Sequence, residues 1–211
     1  MRTLLNNFKT KLAEGQSVIG PFMKTGDPAF VEAAGYVGFD FVILDNEHGP
    51  VTMESMQNNV RAAILAGTLP VIRVQDSSEG SIGKALDIGA LGIQVPQVQN
   101  AEQALAVVKR AKFHPEGERG VCRFVRAAKY STLDRHEYFR EANEALVILQ
   151  LEGIEALGNI DAIVDVPGID VLFIGPYDLS QSLGVPGQIA NPKVIEKMQF
   201  IVDKARGKNI V

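Results

Sequence analysis

The chain has 211 residues, of which 46% are hydrophobic and 22% charged, a balance that is typical of folded globular proteins and excludes a disordered chain. Its formal net charge of −4 argues against a general binder of nucleic acids or anionic membranes. The single cysteine, Cys122, excludes an internal disulfide and a cysteine-based zinc site. Without a signal-peptide core or an apolar run of about 20 residues, we expect a cytoplasmic protein with no membrane or nucleic-acid partner.

Short apolar runs alternate along the chain with longer amphipathic segments, and uninterrupted apolar runs are typical of parallel strands buried on both faces. The predicted strands are 18–23, 41–44, 69–74, 92–95, 145–151, 171–174 and 209–211. The predicted helices are 28–36, 53–66, 80–88, 101–112, 154–164 and 192–206, with a short helix 133–140 inside the long connection 113–143. The alternation predicts a parallel sheet with helices outside it, as either a (β/α)8 barrel or a doubly wound sheet.

Polar residues follow four of the predicted strands at their carboxyl ends. They are Asp45, Glu47 and His48 after the second strand, Arg73 after the third, Gln150 and Glu152 after the fifth, and Asp178 after the sixth. In α/β barrels the carboxyl ends of the strands form the active-site face, so we expect these side chains to converge. Each residue alone has a structural explanation, such as a helix cap or a surface ion pair. Their coincidence at one face favours a site.

The residue types in this set predict chemistry beside a carbonyl group. Glu152 and Asp178 supply hard oxygen ligands that suit Mg²⁺ or Mn²⁺, with the remaining positions open to water and substrate. Such an ion is a Lewis acid for a carbonyl ligand. Arg73 would stabilise negative charge on an oxygen, and His48, with Asp45 three residues earlier, is typical of a general base with an orienting acid. Together they predict proton abstraction that leaves a metal-bound enolate.

Six segments resemble motifs of one known family over nearly the whole chain. They read AGYVGFDFVILDNEHGP, LPVIRV, ALDIGALGIQVPQVQNAEQA, HPEGERGV, LQLEG and FIGPYDLSQSLG. In this order they resemble the HpcH/HpaI class II pyruvate aldolases, which are metal-dependent. The resemblance implies a single domain, residues 1–211, with a TIM (β/α)8 barrel of the phosphoenolpyruvate/pyruvate type. Because a complete barrel takes about 250 residues, we expect the chain to stop within the seventh strand, without the last βα unit or units.

The resemblance also implies roles for individual residues. Glu152 and Asp178 match the ligands of a divalent metal ion (Mg²⁺, Mn²⁺ or Co²⁺), and Asp178 also matches a substrate-binding position. His48 matches the catalytic base, held by Asp45 in a dyad, and Arg73 matches the residue that stabilises the enolate oxygen. Gln150 and the backbone of Tyr177 match substrate contacts. Asp87 matches an acid that raises the basicity of the histidine, which its predicted helix position would allow only across a subunit interface.

Two positions depart from the family pattern. Asn46 stands where a small residue is common, and Tyr177 replaces the usual alanine, so the identity of the aldehyde substrate is open.

The implied activity is cleavage or formation of a 4-hydroxy-2-oxo acid, giving pyruvate and an aldehyde, by a homohexamer built as a trimer of dimers. Three alternatives stay open. One is a Schiff-base aldolase using Lys24, which follows the first predicted strand. Another is a related 2-oxo-acid lyase, decarboxylase or carbon–carbon synthase that uses the same enolate. The last is a truncated, inactive relative that serves as a binding subunit.

Overall fold

The computed structural model describes residues 2–208 and 210–211. In this described part of the chain, six parallel strands form one sheet in chain order, each hydrogen-bonded to the next. They are β1 (Phe22–Met23), β2 (Phe41–Asp45), β3 (Leu69–Arg73), β4 (Gly92–Val95), β5 (Leu146–Leu151) and β6 (Val171–Ile174). A doubly wound sheet reverses its strand order at a switch point, and this sheet does not. The architecture is therefore an α/β fold whose parallel sheet curls into a half-barrel.

One helix precedes the first strand, and the others lie between or after the strands. They are α1 (Arg2–Ala13), α2 (Pro28–Tyr36), α3 (Met53–Ala66), α4 (Glu79–Asp87), α5 (Ala101–Ala111), α6 (Arg135–Asn143), α7 (Ile154–Gly158), α8 (Ile160–Val164), α9 (Pro176–Ser182) and α10 (Pro192–Arg206), with a 3₁₀ segment at Arg126–Ser131. Asp27 and Asn191 cap helices that begin with proline, and the Thr52 side chain caps α3. In the described part of the chain, no helix has the length and apolar character needed to cross a membrane.

The elements differ most from the sequence prediction in four places. The first strand is shorter than predicted because Pro21 has no amide hydrogen, and the parallel register begins at Phe22. The predicted helix 154–164 is two helices that meet at Asn159, whose side-chain amide donates to the Gln99 carbonyl at 3.0 Å. Helices α1 and α9 were not predicted.

Alternate side chains of each strand enter two different cores. Val42 and Leu44 of β2 pack in the large core between the sheet and the outer helices. Ile43 points the other way, to the concave side of the curled sheet, which we call its interior. Leu5 and Phe8 of α1 pack into that interior, and the Phe8 ring contacts the Phe41 ring edge-on at 5.8 Å. Helix α1 therefore covers the interior near the amino ends of the strands and leaves the carboxyl ends for polar residues.

The predicted seventh strand, 209–211, is described only in part, because Asn209 lies outside the described residues. Val211 lies alongside β6 in a parallel arrangement. Its carbonyl accepts the Leu172 N–H at 2.8 Å, and its own N–H donates to the Asp170 carbonyl at 3.2 Å. The backbone at Val211 thus occupies the place of a next strand in the sheet.

Candidate active site

The parallel register brings the predicted polar residues to one end of the sheet. Asp45 of β2 lies beside Arg73 of β3, which in turn lies beside Gln94 of β4. Gln150 lies near the end of β5, opposite Phe173 of β6. The site therefore draws side chains from five consecutive strands or the turns that follow them.

A buried ion-pair network lies at the centre of this end. Arg73 donates from Nε to Asp45 Oδ1 at 3.0 Å and from its second terminal nitrogen to Oδ2 at 2.7 Å. The other terminal nitrogen lies 3.0 Å from Glu47 Oε2. The Arg73 Cζ lies over the Phe22 ring, 4.9 Å from its centroid, which is a cation–π contact. Arg73 thus carries one positive charge between two largely buried carboxylates.

Asp45 is held as a carboxylate by this network. Burial alone would raise its pKa, but the hydrogen bonds from Arg73 and from the N–H groups of His48 and Glu47 outweigh burial and lower it. Glu47 differs, because burial raises its pKa more than the Arg73 charge lowers it.

Asp45 contacts the backbone of His48 and the Arg73 side chain, and the side-chain dyad between Asp45 and His48 stays a prediction. Asp45 Oδ1 accepts the backbone N–H of His48 at 3.2 Å and that of Glu47 at 3.1 Å, while both carboxylate oxygens bind Arg73. The His48 side chain is 60% exposed, and its Nε2 lies 3.8 Å from Glu47 Oε1. Asp45 therefore positions the turn that carries His48, and the acid beside the imidazole is Glu47.

A second polar chain runs across β4, β5 and the following turn. Gln94 donates to the Gln150 side-chain oxygen at 2.5 Å, and Gln150 donates to Glu152 Oε2 at 2.5 Å. Glu152 Oε1 accepts the N–H of Gln97 at 3.0 Å, a residue held at φ +56° in the left-handed region. Burial raises the pKa of Glu152, and the hydrogen bonds from Gln150 and Gln97 only partly offset that rise. Glu152 is thus a buried carboxylate in a fixed orientation.

Asp178 lies across a cleft from this fixed carboxylate. It is in the first turn of α9 and exposed, and no residue of the described chain donates a hydrogen bond to its carboxylate. Asp178 and Glu152 line the same cleft of about 180 Å³, and the negative charge of Asp178 adds to the raised pKa of Glu152. Tyr177, the neighbouring residue, is exposed, and its carbonyl accepts the Ser180 hydroxyl.

The donor set in this cleft fits a hard divalent cation with an open coordination sphere. Glu152 and Asp178 offer carboxylate oxygens, and Asp178 has no competing donor among the described residues. Within residues 2–208 and 210–211, no group of three or more His, Cys, Asp or Glu side chains could hold a metal. Water and substrate would therefore supply the remaining ligands.

Asp87 lies apart from this site. It is the last residue of α4, just before β4, and its Oδ1 accepts a hydrogen bond from Arg119 at 2.6 Å. The Arg119 guanidinium also stacks on the Phe113 ring at 4.6 Å. Within this chain Asp87 therefore contacts the 113–143 connection and not His48.

Sequence reasoning missed several residues that build the site. Gln94 carried a detectable signal, since a polar residue inside an apolar buried strand needs a partner. Glu47 was noted at a strand end but received no role. Phe22 and Gln97 carried no such signal, because stacking on Arg73 and donating a backbone N–H to Glu152 depend on the folded geometry.

Comparisons with known proteins give consistent results. The family model described as HpcH/HpaI aldolase/citrate lyase matches residues 18–211. A 2-keto-3-deoxy-L-rhamnonate aldolase from Salmonella gallinarum (strain 287/91 / NCTC 13346) is 41% identical over 209 residues, which cover 98% of this chain and 78% of the relative. An HpcH/HpaI aldolase/citrate lyase family protein from Burkholderia cenocepacia J2315 superposes with a TM-score of 0.90 at 30% identity, covering 98% of this chain and 82% of that one. The citrate synthase SbnG has a TM-score of 0.87 at 33% identity, covering 96% of this chain and 78% of that structure.

Proposed function

The chain belongs to the HpcH/HpaI aldolase/citrate lyase family and is a carbon–carbon lyase, and from this we propose a divalent-metal-dependent aldolase of 4-hydroxy-2-oxo acids. Its products in the cleavage direction would be pyruvate and an aldehyde. The observation that carries the proposal is the fixed, buried Glu152 carboxylate facing the same cleft as the exposed Asp178. We further propose that the half-barrel belongs to a TIM-type (β/α)8 barrel and that the protein acts in the cytoplasm.

Glu152 and Asp178 would hold the ion, which we propose to be Mg²⁺, Mn²⁺ or Co²⁺. A divalent cation at this place supplies Lewis-acid polarisation of a 2-oxo acid's carbonyl group. The side chain of Gln150 lies next to Glu152 and is also tied to Gln94, so it can orient a substrate beside the carboxylate. The N–H of Tyr177 is among the first four amides of α9, which have no partner within the helix and suit a substrate carboxylate.

Proton transfer is the task of His48 in this proposal. Its exposed imidazole lies in the turn after β2 and would remove the C4 hydroxyl proton during cleavage, directly or through a water. As the C3–C4 bond breaks, negative charge develops on the keto oxygen of the pyruvyl half. The nitrogens of Arg73 are already directed at Asp45 and Glu47. Arg73 would therefore stabilise the negative charge on the keto oxygen through its positive charge, without a direct hydrogen bond.

We expect metal removal to abolish the exchange of pyruvate methyl protons with solvent. Exchange in D₂O, followed by NMR, should fall at least about 100-fold after EDTA treatment and return with Mg²⁺, Mn²⁺ or Co²⁺. Protein carried through the same gel filtration without EDTA is the control. Equal exchange rates before and after EDTA would contradict metal dependence.

The alternatives have less support from the geometry. A Schiff-base lysine needs a desolvated amine, whereas Lys24 is 56% exposed and its Nζ lies 3.7 Å from Asp45 Oδ2. Borohydride trapping with pyruvate separates these two mechanisms. The likeness to the citrate synthase SbnG keeps a related carbon–carbon synthase or 2-oxo-acid decarboxylase as the second candidate, which oxaloacetate turnover without aldol activity would favour. The assembled polar network argues against an inactive binding subunit.

We also propose that the protein is an oligomer, and a hexamer built from dimers is the form that the family resemblance implies. Exposed apolar side chains on the outer helices α2 and α3 support this proposal. They are Phe30, Tyr36 and Leu65, with Val37 at the end of α2.

A close backbone approach at Gly175 provides a test of the metal site. A Cβ at this position would lie 2.5 Å from Glu152 Oε2 and 3.2 Å from Glu152 Cβ, so Gly175→Ala must displace the carboxylate. We expect Mn²⁺ affinity, measured by calorimetry, to fall about 10- to 100-fold. Gly153→Ala is the matched control, because a Cβ there meets no atom within 4 Å. Equal Mn²⁺ affinities of the two variants would argue against Glu152 as a ligand.

A further inference from the structure

Lys24 is a cation at the carboxyl end of the sheet, and among the described residues its ammonium group has an ion-pair contact with Asp45 and no hydrogen-bond partner. It follows β1 directly, and the pairing of Met23 with Leu44 places it beside Asp45. Its Nζ lies 3.7 Å from Asp45 Oδ2, which is within ion-pair range but beyond hydrogen-bond distance. Asp45 already accepts hydrogen bonds from Arg73 and from two backbone N–H groups. The three ammonium protons of Lys24 are therefore not taken up by Asp45.

Lys24 and His48 emerge on the same side of the site. A Cβ placed on Gly49, the residue after His48, would lie 3.5 Å from the Lys24 Cα, so the turn after β2 folds against the end of β1. Both side chains are more than half exposed. We call the open carboxyl end of the sheet the mouth of the site. Its β1–β2 side thus presents one ammonium group and one imidazole to a ligand.

The opposite side of the mouth is acidic. Glu152 and Asp178 follow β5 and β6, and β1 approaches β6 across the interior, as the edge-on contact between the Phe22 and Phe173 rings at 5.7 Å shows. A two-part substrate whose pyruvyl half binds at Glu152 and Asp178 would extend its other half toward His48 and Lys24. The exposed cation that it meets there is the Lys24 ammonium group, whereas the neighbouring Asp45 is buried.

From this arrangement we propose that Lys24 is a specificity-determining residue that selects acceptor aldehydes bearing a carboxylate. This inference rests on the proposed aldolase function and names the acceptor class for the same site. Arg73 cannot serve this purpose, because its guanidinium is directed at Asp45 and Glu47 and is largely buried. A carboxylate next to the reacting aldehyde would accept charge-assisted hydrogen bonds from the Lys24 ammonium.

The test compares two acceptors of similar size in pyruvate addition, glyoxylate with a carboxylate and glycolaldehyde with a neutral hydroxymethyl group. Full-length wild type, Lys24→Met and Lys24→Arg are assayed for kcat/KM with each acceptor. We expect Lys24→Met to lower the glyoxylate-to-glycolaldehyde ratio at least about tenfold and Lys24→Arg to keep it within about threefold of wild type. Lys109→Met is the control. Lys109 lies on α5, away from the mouth, and pairs with Glu118 in the 113–143 connection.

If Lys24→Met lost the same activity with both acceptors, Lys24 would have a structural role beside Asp45 and the proposal would be wrong. The proposal would also be wrong if Lys24→Met kept wild-type kcat/KM with both acceptors. Wild-type exchange of pyruvate methyl protons is measured in parallel, because it does not involve an acceptor. Its absence would show that the proposed aldolase function itself fails, and the acceptor proposal with it.

Discussion

Glu152→Gln should lower the rate of pyruvate methyl-proton exchange at least about 10³-fold. The substitution keeps the length of the side chain but removes the charge and one acceptor oxygen, and Gln150 already donates to that position. A neutral amide is a poor ligand for a hard divalent cation, whose polarisation of a carbonyl is worth several kcal/mol. The measurement is exchange in D₂O at saturating Mn²⁺, followed by NMR.

The melting temperature of the metal-free protein shows whether the slower exchange of Glu152→Gln comes from a lost metal ligand or from misfolding. Because burial raises the pKa of Glu152, the ionised side chain costs folding free energy near neutral pH when no cation is bound. The melting temperature of metal-free Glu152→Gln should therefore equal or exceed that of the metal-free wild type. Glu155→Gln, an exposed glutamate in the first turn of α7, is the matched control and should exchange within about twofold of wild type. Near-wild-type exchange by Glu152→Gln would refute its role as a ligand.

Arg73→Met should lower the free energy of unfolding by about 3–5 kcal/mol, in addition to impairing exchange. The substitution leaves Asp45, whose side chain is fully buried, without the two hydrogen bonds that Arg73 donates to it. Breaking one side of a buried ion pair leaves an uncompensated charge, which is far more costly than losing a surface pair. Urea denaturation at neutral pH measures the loss.

A second substitution tests the cause of that loss. Asp45→Asn in the Arg73→Met background removes the buried charge, so the double variant should be more stable than Arg73→Met alone. Arg61→Lys is the control, because the Arg61 guanidinium is exposed and contacts Gln57 and Asn58 on its own helix and the Tyr130 hydroxyl. This variant should change the free energy of unfolding by less than about 0.5 kcal/mol. A loss below about 1 kcal/mol in Arg73→Met would mean that the buried network is not formed in solution.

The positions of the candidate site residues could be predicted because each follows a strand. A strand buried on both faces is an apolar run, so the first polar residue after it marks its carboxyl end. This reasoning located Asp45, Arg73, Glu152 and Asp178 at one end of the sheet, where the structure has them. Their roles in catalysis and metal binding stay predictions until the variants are measured.

The partners of these residues could not be predicted in the same way. The spacing of Asp45 and His48 predicts a side-chain dyad but not the other contacts of these two residues. The β2–β3 register places Arg73 beside Asp45, and the His48 imidazole lies 3.8 Å from Glu47. The same limit applies to Lys24, whose neighbour Asp45 is 21 positions away along the chain.

The amino-acid sequence by itself determined the alternation of strands and helices, the polar strand ends and the family, because apolar runs, helix caps and motifs are local properties of the chain. The tertiary structure alone decided how the sheet curls, that α1 covers its interior, and which charges pair at the mouth. The physical reason is that an ion pair depends on strand register and burial, and both are set by contacts between residues far apart in sequence.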